Sequence, residues 1–304
     1  MTCSSLILLL SALPFLAALA DPPSTGPNDP PTQWPLPPLP PGATVYPDLS
    51  YVTNGSPSQK LDLYLPKQGH NLPLIIFLHG GAFYMGDKRQ WIGDQLVYLN
   101  QGYAVASINY RLSGEAPFPA QINDCKAAVR WLRANATTYR LDPNHFVAWG
   151  ASAGGHLAAM LGTTGNIRDF DVGENLAFSS QVQAVADFFG PIDLTKLRPA
   201  SMGAGSAESR FIGCTINDNL NKARRASPIT YVTKDCPPFL IVHGDNDPIV
   251  PYTQSVLFTA TLEQAGVPVT FYTVKGARHG GFHDPQVPVL TSAFFAKYLK
   301  PAKT

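Results

Sequence analysis

The sequence contains few charged residues, and the two signs nearly balance. Charged side chains make up 14% of the 304 residues, and 22 Lys and Arg against 21 Asp and Glu give a formal net charge of +1. Proteins that attract nucleic acid or an anionic membrane surface carry an excess or a patch of basic residues. The composition therefore gives no reason to propose either partner. The sequence also lacks long runs of like charge and internal repeats.

Cysteine is scarce, and the spacing of the four cysteines fits no zinc-binding pattern. We therefore predict no metal site. Cys3 lies in the N-terminal segment, and Cys125 falls on an apolar stripe at helical spacing, which favours packing in the core. Cys214 and Cys236 flank a polar segment. We predict a disulfide between these two, because an exported protein permits one.

The N-terminal hydrophobic run is too short to span a membrane. It covers residues 6–20, about fifteen residues where a span needs roughly twenty. The run ends in Ala18-Leu19-Ala20, which matches the A-x-A pattern before a signal-peptide cleavage site. We predict that residues 1–20 are a signal peptide, that the protein is secreted or periplasmic, and that the mature form has no membrane span. No Lys or Arg precedes the run, so an uncleaved anchor is the alternative.

Residues 21–43 are dominated by proline, with ten prolines in the segment. Such a segment can neither pair as a strand nor continue as a helix, so we predict an extended linker. The globular domain is then expected to cover residues 44–304, which is long enough to bury a sizeable core.

Short apolar runs alternate with helix-like stretches after the predicted linker. The runs expected as strands are 61–65, 74–78, 103–108, 146–149, 182–189, 239–242 and 269–274. This alternation predicts an α/β fold with a doubly wound, mostly parallel sheet. Residues 195–230 are irregular, and we predict that they form a small cap or lid insertion. In such sheets functional residues gather at the carboxyl ends of the strands.

The five residues Gly150 to Gly154 match the Gly-x-Ser-x-Gly pattern between a predicted strand and a predicted helix. A strand that turns at once into a helix forces its middle residue, Ser152, into a strained backbone conformation. The flanking positions must then lack side chains so that strand and helix can approach. The pattern predicts a nucleophilic serine beside a helix N-terminus, where negative charge is favoured. The alternative is a turn that small residues merely tighten.

A serine hydroxyl needs a base, and the base needs an orienting acid. Asp245 and Asp247 follow the same predicted strand. We prefer Asp247, because it lies deeper in the turn, whereas Asp245 is placed to brace the loop through hydrogen bonds to the backbone. His279 is the predicted base, since glycines on both sides allow a loop that reaches the serine. His283 is its rival, with an exposed loop residue as the alternative, and His243 ends its strand too early.

Backbone donors for an oxyanion hole are expected in two places. Gly81 and Ala82 offer consecutive N–H groups after the strand at 74–78, and Ala153 offers another. Each such donor can lower the barrier by about 2.7–4 kcal/mol, because it points at the charge that develops on the carbonyl oxygen. His79 is expected to brace this loop. A turn made of small residues is the alternative.

Three aromatic residues near this loop, Phe83, Tyr84 and Trp91, could line a substrate pocket that accepts aromatic groups. Burial in the core is the alternative, because aromatic side chains dominate protein interiors.

Four segments together resemble the α/β-hydrolase esterases. They are residues 79–83 (His-Gly-Gly-Ala-Phe), 150–155 (Gly-Ala-Ser-Ala-Gly-Gly), 243–251 (His-Gly-Asp-Asn-Asp-Pro-Ile-Val-Pro) and 276–281 (Gly-Ala-Arg-His-Gly-Gly). The sequence is most similar to the hormone-sensitive-lipase-like carboxylesterases and to the bacterial feruloyl and acetylxylan esterases. The resemblance covers roughly residues 44–299.

The resemblance implies an α/β-hydrolase fold and assigns roles to the residues above. It implies Ser152 as nucleophile, Asp247 as acid and His279 as base, without a cofactor. The family often has a third glycine where this sequence has Ala82. The backbone donor remains at that position. The methyl group narrows the pocket, however, and puts in doubt whether the pocket accepts esters with bulky alcohol groups.

We therefore expect a secreted serine carboxylesterase that forms an acyl-enzyme on Ser152. Its substrate would be a small or a polysaccharide-linked ester, with acetyl and feruloyl esters of plant polysaccharide as the candidates. One alternative is a serine peptidase of the prolyl-oligopeptidase kind, which usually carries an N-terminal propeller that this sequence does not contain. The other is a catalytically silent binding protein of the same fold, which typically lacks a member of the triad. The sequence indicates nothing about the oligomeric state.

Overall fold

A computed structural model describes residues 34–299. The predicted signal peptide, residues 21–33 of the predicted linker and Cys3 lie outside the described residues. Residues 34–43, the rest of that linker, are in neither helix nor strand, and the first strand begins at Thr44. Residues 35–299 belong to one structural unit.

One mixed sheet forms the centre of the described domain. Its eight strands are β1 (Thr44–Ser50), β2 (Lys60–Leu65), β3 (Leu72–Leu78), β4 (Ala104–Ile108), β5 (Leu141–Ala151), β6 (Ala184–Phe188), β7 (Phe239–Gly244) and β8 (Val269–Val274). They are ordered β1-β2-β4-β3-β5-β6-β7-β8. The β1–β2 and β2–β4 pairings are antiparallel and the other five are parallel. The predicted α/β-hydrolase fold with a mostly parallel sheet is confirmed.

The helices connect these strands. They are α1 (Gly93–Leu96), α2 (Ala120–Ala134), α3 (Ala153–Thr163), α4 (Pro199–Met202), α5 (Ala207–Ile212), α6 (Leu220–Arg225), α7 (Thr253–Gln264) and α8 (Gln286–Tyr298). Short 3-10 turns cover Val97–Gln101, Arg168–Phe170, Leu194–Lys196, Ile216–Asp218 and Pro228–Tyr231. Within residues 34–299, no helix combines the length and hydropathy that crossing a bilayer would require.

Strand β3 shows why the sheet lies in the middle of the fold. Every residue of β3 is buried, as its continuous apolar sequence predicts for a strand covered on both faces. Its side chains alternate between two hydrophobic clusters, Leu74, Ile76 and Leu78 in one, and Ile75 and Phe77 in the other. The two clusters are the two layers of core on either side of the sheet.

The helices divide between these two layers. Ile122 of α2, Leu157 of α3 and Phe258 of α7 belong to the first cluster. Leu96 of α1 and Phe295 of α8 belong to the second. Helices on both faces leave the carboxyl ends of the parallel strands as an open edge, and the candidate site lies there.

Residues 194–231 lie between β6 and β7 and contain the short helices α4, α5 and α6 with three 3-10 turns. Their apolar residues join the first core cluster, and Phe211, Ile212 and Ile216 are fully buried. The segment predicted as a cap or lid is therefore packed into the domain through these side chains.

The predicted disulfide is wrong, because Cys214 and Cys236 are both free thiols in the structure. A disulfide needs its two Cα atoms within about 7 Å, and the segment between these cysteines does not fold as an exposed loop closed at its base. It forms α6 and two 3-10 turns that bury Ile216 and Ala223. The Sγ of Cys236 instead contacts its own turn, 3.3 Å from the Thr233 nitrogen.

Candidate active site

Ser152 occupies the sharp turn between β5 and α3. Its backbone has φ of 57° and ψ of −122°, which is a strained conformation for a residue with a side chain. A Cβ on Gly150 would lie 2.0 Å from the carbonyl oxygen of Gly154, and a Cβ on Gly154 would lie 2.0 Å from that of Leu78. Both glycines are therefore required for strand and helix to approach. The predicted geometry of the turn is confirmed.

The three predicted triad side chains meet at the edge of the sheet. His279 Nε2 lies 2.9 Å from Ser152 Oγ, and His279 Nδ1 lies 2.7 Å from Asp247 Oδ2. The residues follow the parallel strands β5, β7 and β8, of which β7 and β8 are adjacent and β5 and β7 are separated by one strand, β6, so the order of the sheet brings them to one edge. The Asp247 side chain is fully buried, and that of His279 is 16% exposed. The expected convergence is thus observed, with the base open to a ligand and the acid shielded from water.

The Asp247 carboxylate accepts four hydrogen bonds. Oδ1 accepts from the backbone N–H groups of Ile249 and Val250, and Oδ2 accepts from imidazole nitrogens of His279 and His243. Burial by itself would raise the pKa of Asp247, but the hydrogen bonds from His243 and His279 hold that pKa well below its usual range. Asp247 is therefore a carboxylate and can act only as an acceptor.

The ionised carboxylate decides which nitrogen of His279 carries the hydrogen. Because Asp247 Oδ2 can only accept, His279 Nδ1 donates to it. In the neutral imidazole, Nε2 is then the acceptor, and it faces the Ser152 hydroxyl. This arrangement can remove a proton from the hydroxyl and stabilise the imidazolium that results.

Asp245 has the bracing role that the sequence predicts for it. Its Oδ1 accepts a hydrogen bond of 2.6 Å from the Gly276 backbone N–H, which ties the loop after β7 to the loop after β8. His283, the rival base, is exposed. The structure thus brings Asp247 and His279 to the serine, and not Asp245 or His283.

His243 is the residue that sequence reasoning missed. Its place at the end of a strand argues against it as a base, yet its Nε2 lies 3.1 Å from Asp247 Oδ2. The signal available in the sequence was the spacing of four residues between His243 and Asp247 across a tight turn.

The oxyanion-hole loop has an unusual backbone. Gly81, Ala82 and Phe83 all have positive φ, at 116°, 51° and 66°. Within residues 34–299, the N–H groups of Gly81 and Ala82 donate to no protein acceptor, and that of Ala153 is the first of helix α3. A Cβ on Gly80 would lie 3.5 Å from the Ser152 Cβ, so the loop runs beside the serine. Successive unpaired N–H groups of this kind form an anion-binding concavity.

His79 braces this loop, as expected. Its Nδ1 lies 2.7 Å from the Gly80 carbonyl oxygen, and its ring stacks on that of Tyr110 with centroids 4.4 Å apart. The Tyr110 hydroxyl donates to the His79 carbonyl oxygen at 2.8 Å. Burial lowers the pKa of His79 and favours the neutral ring.

The predicted aromatic pocket is wrong for Phe83. That side chain is 2% exposed and stacks on Phe211 at 3.9 Å, so it belongs to the core. Tyr84 and Trp91 are 42% and 59% exposed. Trp91 lies beside the serine, because its Cζ3 is 3.8 Å from the Cβ position of Gly80.

An ionic network anchors the segment that leads to Trp91. Lys88 Nζ lies 2.7 Å from Asp48 and 3.1 Å from Asp62, and Arg89 Nε lies 2.7 Å from Asp62. The Asp62 side chain is fully buried on β2. The network fastens Lys88 and Arg89, close to Trp91 in the sequence, to β1 and β2 at the antiparallel edge of the sheet. Among the described residues, no group of three or more His, Cys, Asp or Glu side chains could hold a metal ion.

The sequence matches a known protein family. The profile of the family described as BD-FAE matches residues 61–262. This range includes Ser152 and Asp247 and ends before His279.

Curated relatives were found among bacterial and plant esterases. Esterase LipQ of Mycobacterium tuberculosis is 35% identical over 218 residues, which are 70% of this chain and 51% of that protein. The probable isoprenylcysteine alpha-carbonyl methylesterase ICMEL1 of Arabidopsis thaliana is 28% identical over 243 residues, which are 76% of this chain and 50% of that protein. The chain thus spans about half the length of these relatives.

Solved structures with the same fold include two esterases. A truncated form of carbohydrate esterase from gut microbiota has a TM-score of 0.80 and 35% identity, covering 84% of this chain and 96% of that one. Thermogutta terrifontis esterase 2, phosphorylated by paraoxon, has a TM-score of 0.69 and 26% identity, covering 90% of this chain and 100% of that one.

Proposed function

Because this chain belongs to the BD-FAE family of α/β-hydrolase esterases, we propose that it is a serine carboxylesterase that forms an acyl-enzyme on Ser152. The observation that carries the proposal is the unbroken line of hydrogen bonds from Ser152 through His279 to Asp247, at 2.9 and 2.7 Å. The esterase names of its relatives support the same conclusion.

The proposed reaction has two steps. His279 Nε2 takes the hydroxyl proton as Ser152 Oγ forms a bond to the ester carbonyl carbon, and the N–H groups of Gly81, Ala82 and Ala153 stabilise the charge on the carbonyl oxygen. The carbon–oxygen bond to the alcohol then breaks, and the imidazolium returns the proton to the leaving oxygen. In the second step the same imidazole deprotonates a water, which attacks the acyl-enzyme and releases the carboxylic acid.

The two alternatives have less support. A silent binding protein of this fold typically lacks a triad member, whereas here all three side chains are within hydrogen-bonding distance. No feature of the described residues favours a peptidase, and the relatives reported above are named esterases.

For the substrate, we propose acetyl or feruloyl esters of plant polysaccharide. The similarity to a carbohydrate esterase supports this class, as do the exposed rings of Tyr84 and Trp91 beside the oxyanion loop. An exposed aromatic face can stack on a feruloyl ring or on the apolar face of a sugar. The ionic network at Lys88 and Arg89 holds the Trp91 segment in advance of binding.

We also propose that residues 1–20 direct export of the protein. This rests on the hydrophobic run and the A-x-A pattern alone. N-terminal sequencing of protein recovered from the medium or periplasm should begin at Asp21. Retention in the membrane with Met1 intact would favour an uncleaved anchor.

The decisive test of the activity is Ser152→Ala. We expect wild type to hydrolyse p-nitrophenyl acetate and the variant to lose at least about 10⁴-fold in kcat. Paraoxon should add a single phosphoryl group to wild type by intact mass and none to the variant. Ser179→Ala, which changes an exposed serine, is the control and should behave as wild type. Undiminished turnover by Ser152→Ala would refute the proposal.

An ester panel tests the substrate class. Ethyl acetate, methyl ferulate and acetylated xylan should be compared for wild type and Trp91→Ala. We expect KM to rise several-fold for methyl ferulate and acetylated xylan and to change little for ethyl acetate, since stacking on an aromatic ring contributes about 1 kcal/mol. Equal changes for all three substrates would show that Trp91 does not contact the ring.

A further inference from the structure

A second imidazole is bound to the acid of the triad. His243 at the end of β7 is fully buried, and its two ring nitrogens face different partners. Nε2 lies 3.1 Å from Asp247 Oδ2 and 3.2 Å from the Val250 carbonyl oxygen, and Nδ1 lies 2.7 Å from Ser255 Oγ on α7. The end of β7, the turn that follows it and helix α7 therefore meet at one buried ring.

The hydrogen-bond partners determine the tautomer of His243. A carboxylate oxygen and a carbonyl oxygen can only accept, so Nε2 carries a hydrogen and donates. The Ser255 hydroxyl can donate, and His243 is its partner in the hydrogen bonds of the described residues. In the neutral ring Nδ1 then accepts from Ser255. His243 thus directs the N–H of Nε2 at the carboxylate.

The carboxylate of Asp247 has two anchors of different kinds. Oδ1 is held by the backbone N–H groups of Ile249 and Val250 at 2.7 and 3.0 Å. Rotation about the Cβ–Cγ bond moves both oxygens together, so a hydrogen bond to Oδ2 adds to the orientation that the bonds to Oδ1 set. On the side away from the serine, Oδ2 is held by His243; on the other side it accepts from His279.

We infer that His243 is a positioning residue, which fixes Oδ2 of Asp247 so that His279, bonded to it through Nδ1, keeps Nε2 directed at Ser152 throughout the reaction. The inference rests on the proposed function, because it concerns the same acyl transfer. His279 must accept and release a proton in each step, and its bond to Oδ2 changes in strength as it does so. The His243 bond does not take part in this proton transfer, so it keeps the carboxylate in place when the His279 bond weakens.

The surroundings of His243 make it a rigid anchor. Its ring contacts Tyr252 and Phe189 edge-on, with centroids 5.7 and 6.3 Å away. Arg198 donates to the backbone oxygens of Asp247 and Pro248, so it holds the main chain of the turn and not the carboxylate. The carboxylate itself depends on His243 for its second anchor.

The test compares two substitutions at one position. His243→Leu removes the donor but keeps an apolar side chain of similar bulk. His243→Gln places an amide N–H and an amide oxygen at about the spacing of the two ring nitrogens, so it can still donate to Asp247 and accept from Ser255. Loss of a hydrogen bond to a charged group is expected to lower kcat for p-nitrophenyl acetate about 10–100-fold in His243→Leu. KM should change by less than about twofold, and His243→Gln should recover most of kcat.

The controls separate this inference from the proposed function and from simple unfolding. Thermal unfolding of each variant measures the folded fraction, and kcat is taken per folded molecule. If Ser152→Ala is inactive while folded His243→Leu keeps wild-type kcat, the inference fails and the proposed function stands. If the Leu and Gln variants lose kcat equally, or if KM and kcat change together, His243 is structural and the inference is overturned.

A second variant tests the inference at Ser255, the partner of the other ring nitrogen, Nδ1. Ser255→Ala removes the donor to Nδ1 but leaves Nε2 facing two acceptors, so the N–H on Nε2 is kept. We expect kcat to fall by less than in His243→Leu, by about threefold. A larger loss in Ser255→Ala than in His243→Leu would contradict the proposed direction of the hydrogen bonds.

Discussion

Ser152 stands between two regions that are built differently. On one side lie His279, Asp247 and His243, whose polar atoms are paired with one another in a buried chain of hydrogen bonds. On the other side lies the segment 79–91, whose N–H groups at Gly81 and Ala82 have no protein acceptor among the described residues. The first region is saturated with hydrogen bonds, and the second keeps its donors open.

The difference reflects what each region must do. A base and an acid must hold one geometry, and mutual hydrogen bonds between buried groups supply it. An oxyanion hole must leave its donors free, so its shape has to come from elsewhere. Here it comes from positive φ angles at the loop and from the ionic network of Lys88 and Arg89 with Asp62. Substitutions in the first region should therefore lower kcat. Substitutions in the ionic network that anchors the second region should lower the free energy of unfolding.

The largest effect is expected for Asp247→Asn in the acid–base region. The amide keeps the shape but can present N–H groups to His279, which favours the wrong tautomer, and kcat should fall by about 10⁴-fold. Steady-state kinetics with p-nitrophenyl acetate measure this loss. Asp245→Asn is the matched control and should keep kcat within about threefold, since Asp245 only braces the loop. The opposite ranking would make Asp245 the acid.

Asp62→Asn tests the anchor of the other region. The substitution leaves the side chains of Lys88 and Arg89, which are 4% and 7% exposed, without their buried counter-charge. We expect the free energy of unfolding to fall by about 3–5 kcal/mol in urea titrations. Asp48→Asn is the control and should cost about 1 kcal/mol or less, because the Asp48 side chain is 38% exposed. Equal losses at the two positions would mean that burial does not set the strength of the network.

Gly81→Ala tests the open donors. A Cβ at this position would lie 2.1 Å from the Met85 carbonyl oxygen, and φ is 116°, so the loop must move. Displacement of an oxyanion donor should lower kcat about 10²–10³-fold. Gly93→Ala in α1 is the control, because no heavy atom lies within 4 Å of its Cβ position. Wild-type kcat in a folded Gly81→Ala variant would show that this loop does not stabilise the transition state.

The smallest expected effect is on the pH dependence of the protein's stability, and it comes from the buried carboxyl group of Asp187. Burial raises the pKa of Asp187 on β6 to about 6, although the Gly190 N–H lowers it. Between about pH 4 and about pH 6, Asp187 in the native state thus keeps its proton, whereas an unfolded Asp, with a pKa of about 3.9, has lost it. This carboxyl's contribution to stability is full below about pH 4, falls as pH rises to about 6, and is constant above.

Asp187→Asn isolates this contribution. The variant cannot titrate here, so its stability relative to wild type should rise by on the order of 2 kcal/mol between about pH 4 and about pH 7.5. Urea titrations at both pH values measure the difference. The same difference at both pH values would mean that Asp187 titrates alike in the native and unfolded states.

Much of the fold and of the site could be predicted from local features of the sequence. The continuous apolar run of β3 predicts a strand buried on both faces, and it is one. The glycines at 150 and 154 predict the turn that exposes Ser152, because sterics within five residues require them. His279 and Asp247 could be chosen because the order of strands in a parallel sheet brings their loops to one edge.

The features that were wrong or missed depend on contacts between distant segments. The spacing of Cys214 and Cys236 suggested a loop closed by a disulfide, but the intervening residues pack into the core instead. The sequence leaves Phe83 as a candidate for a pocket or for the core, and it stacks on Phe211, more than a hundred residues away in the sequence. Ser255 lies on α7, a different element from the strand that carries His243, and only the packing of that helix on the sheet brings its hydroxyl to the ring.

The sequence alone thus determined the strand pattern, the elbow and the identity of the groups that meet at Ser152, because hydrophobic periodicity and turn sterics act over a few residues. Only the tertiary structure decided which buried polar groups pair and which aromatic rings remain exposed. Those outcomes depend on distances and directions between side chains from different elements, which packing of the whole domain sets.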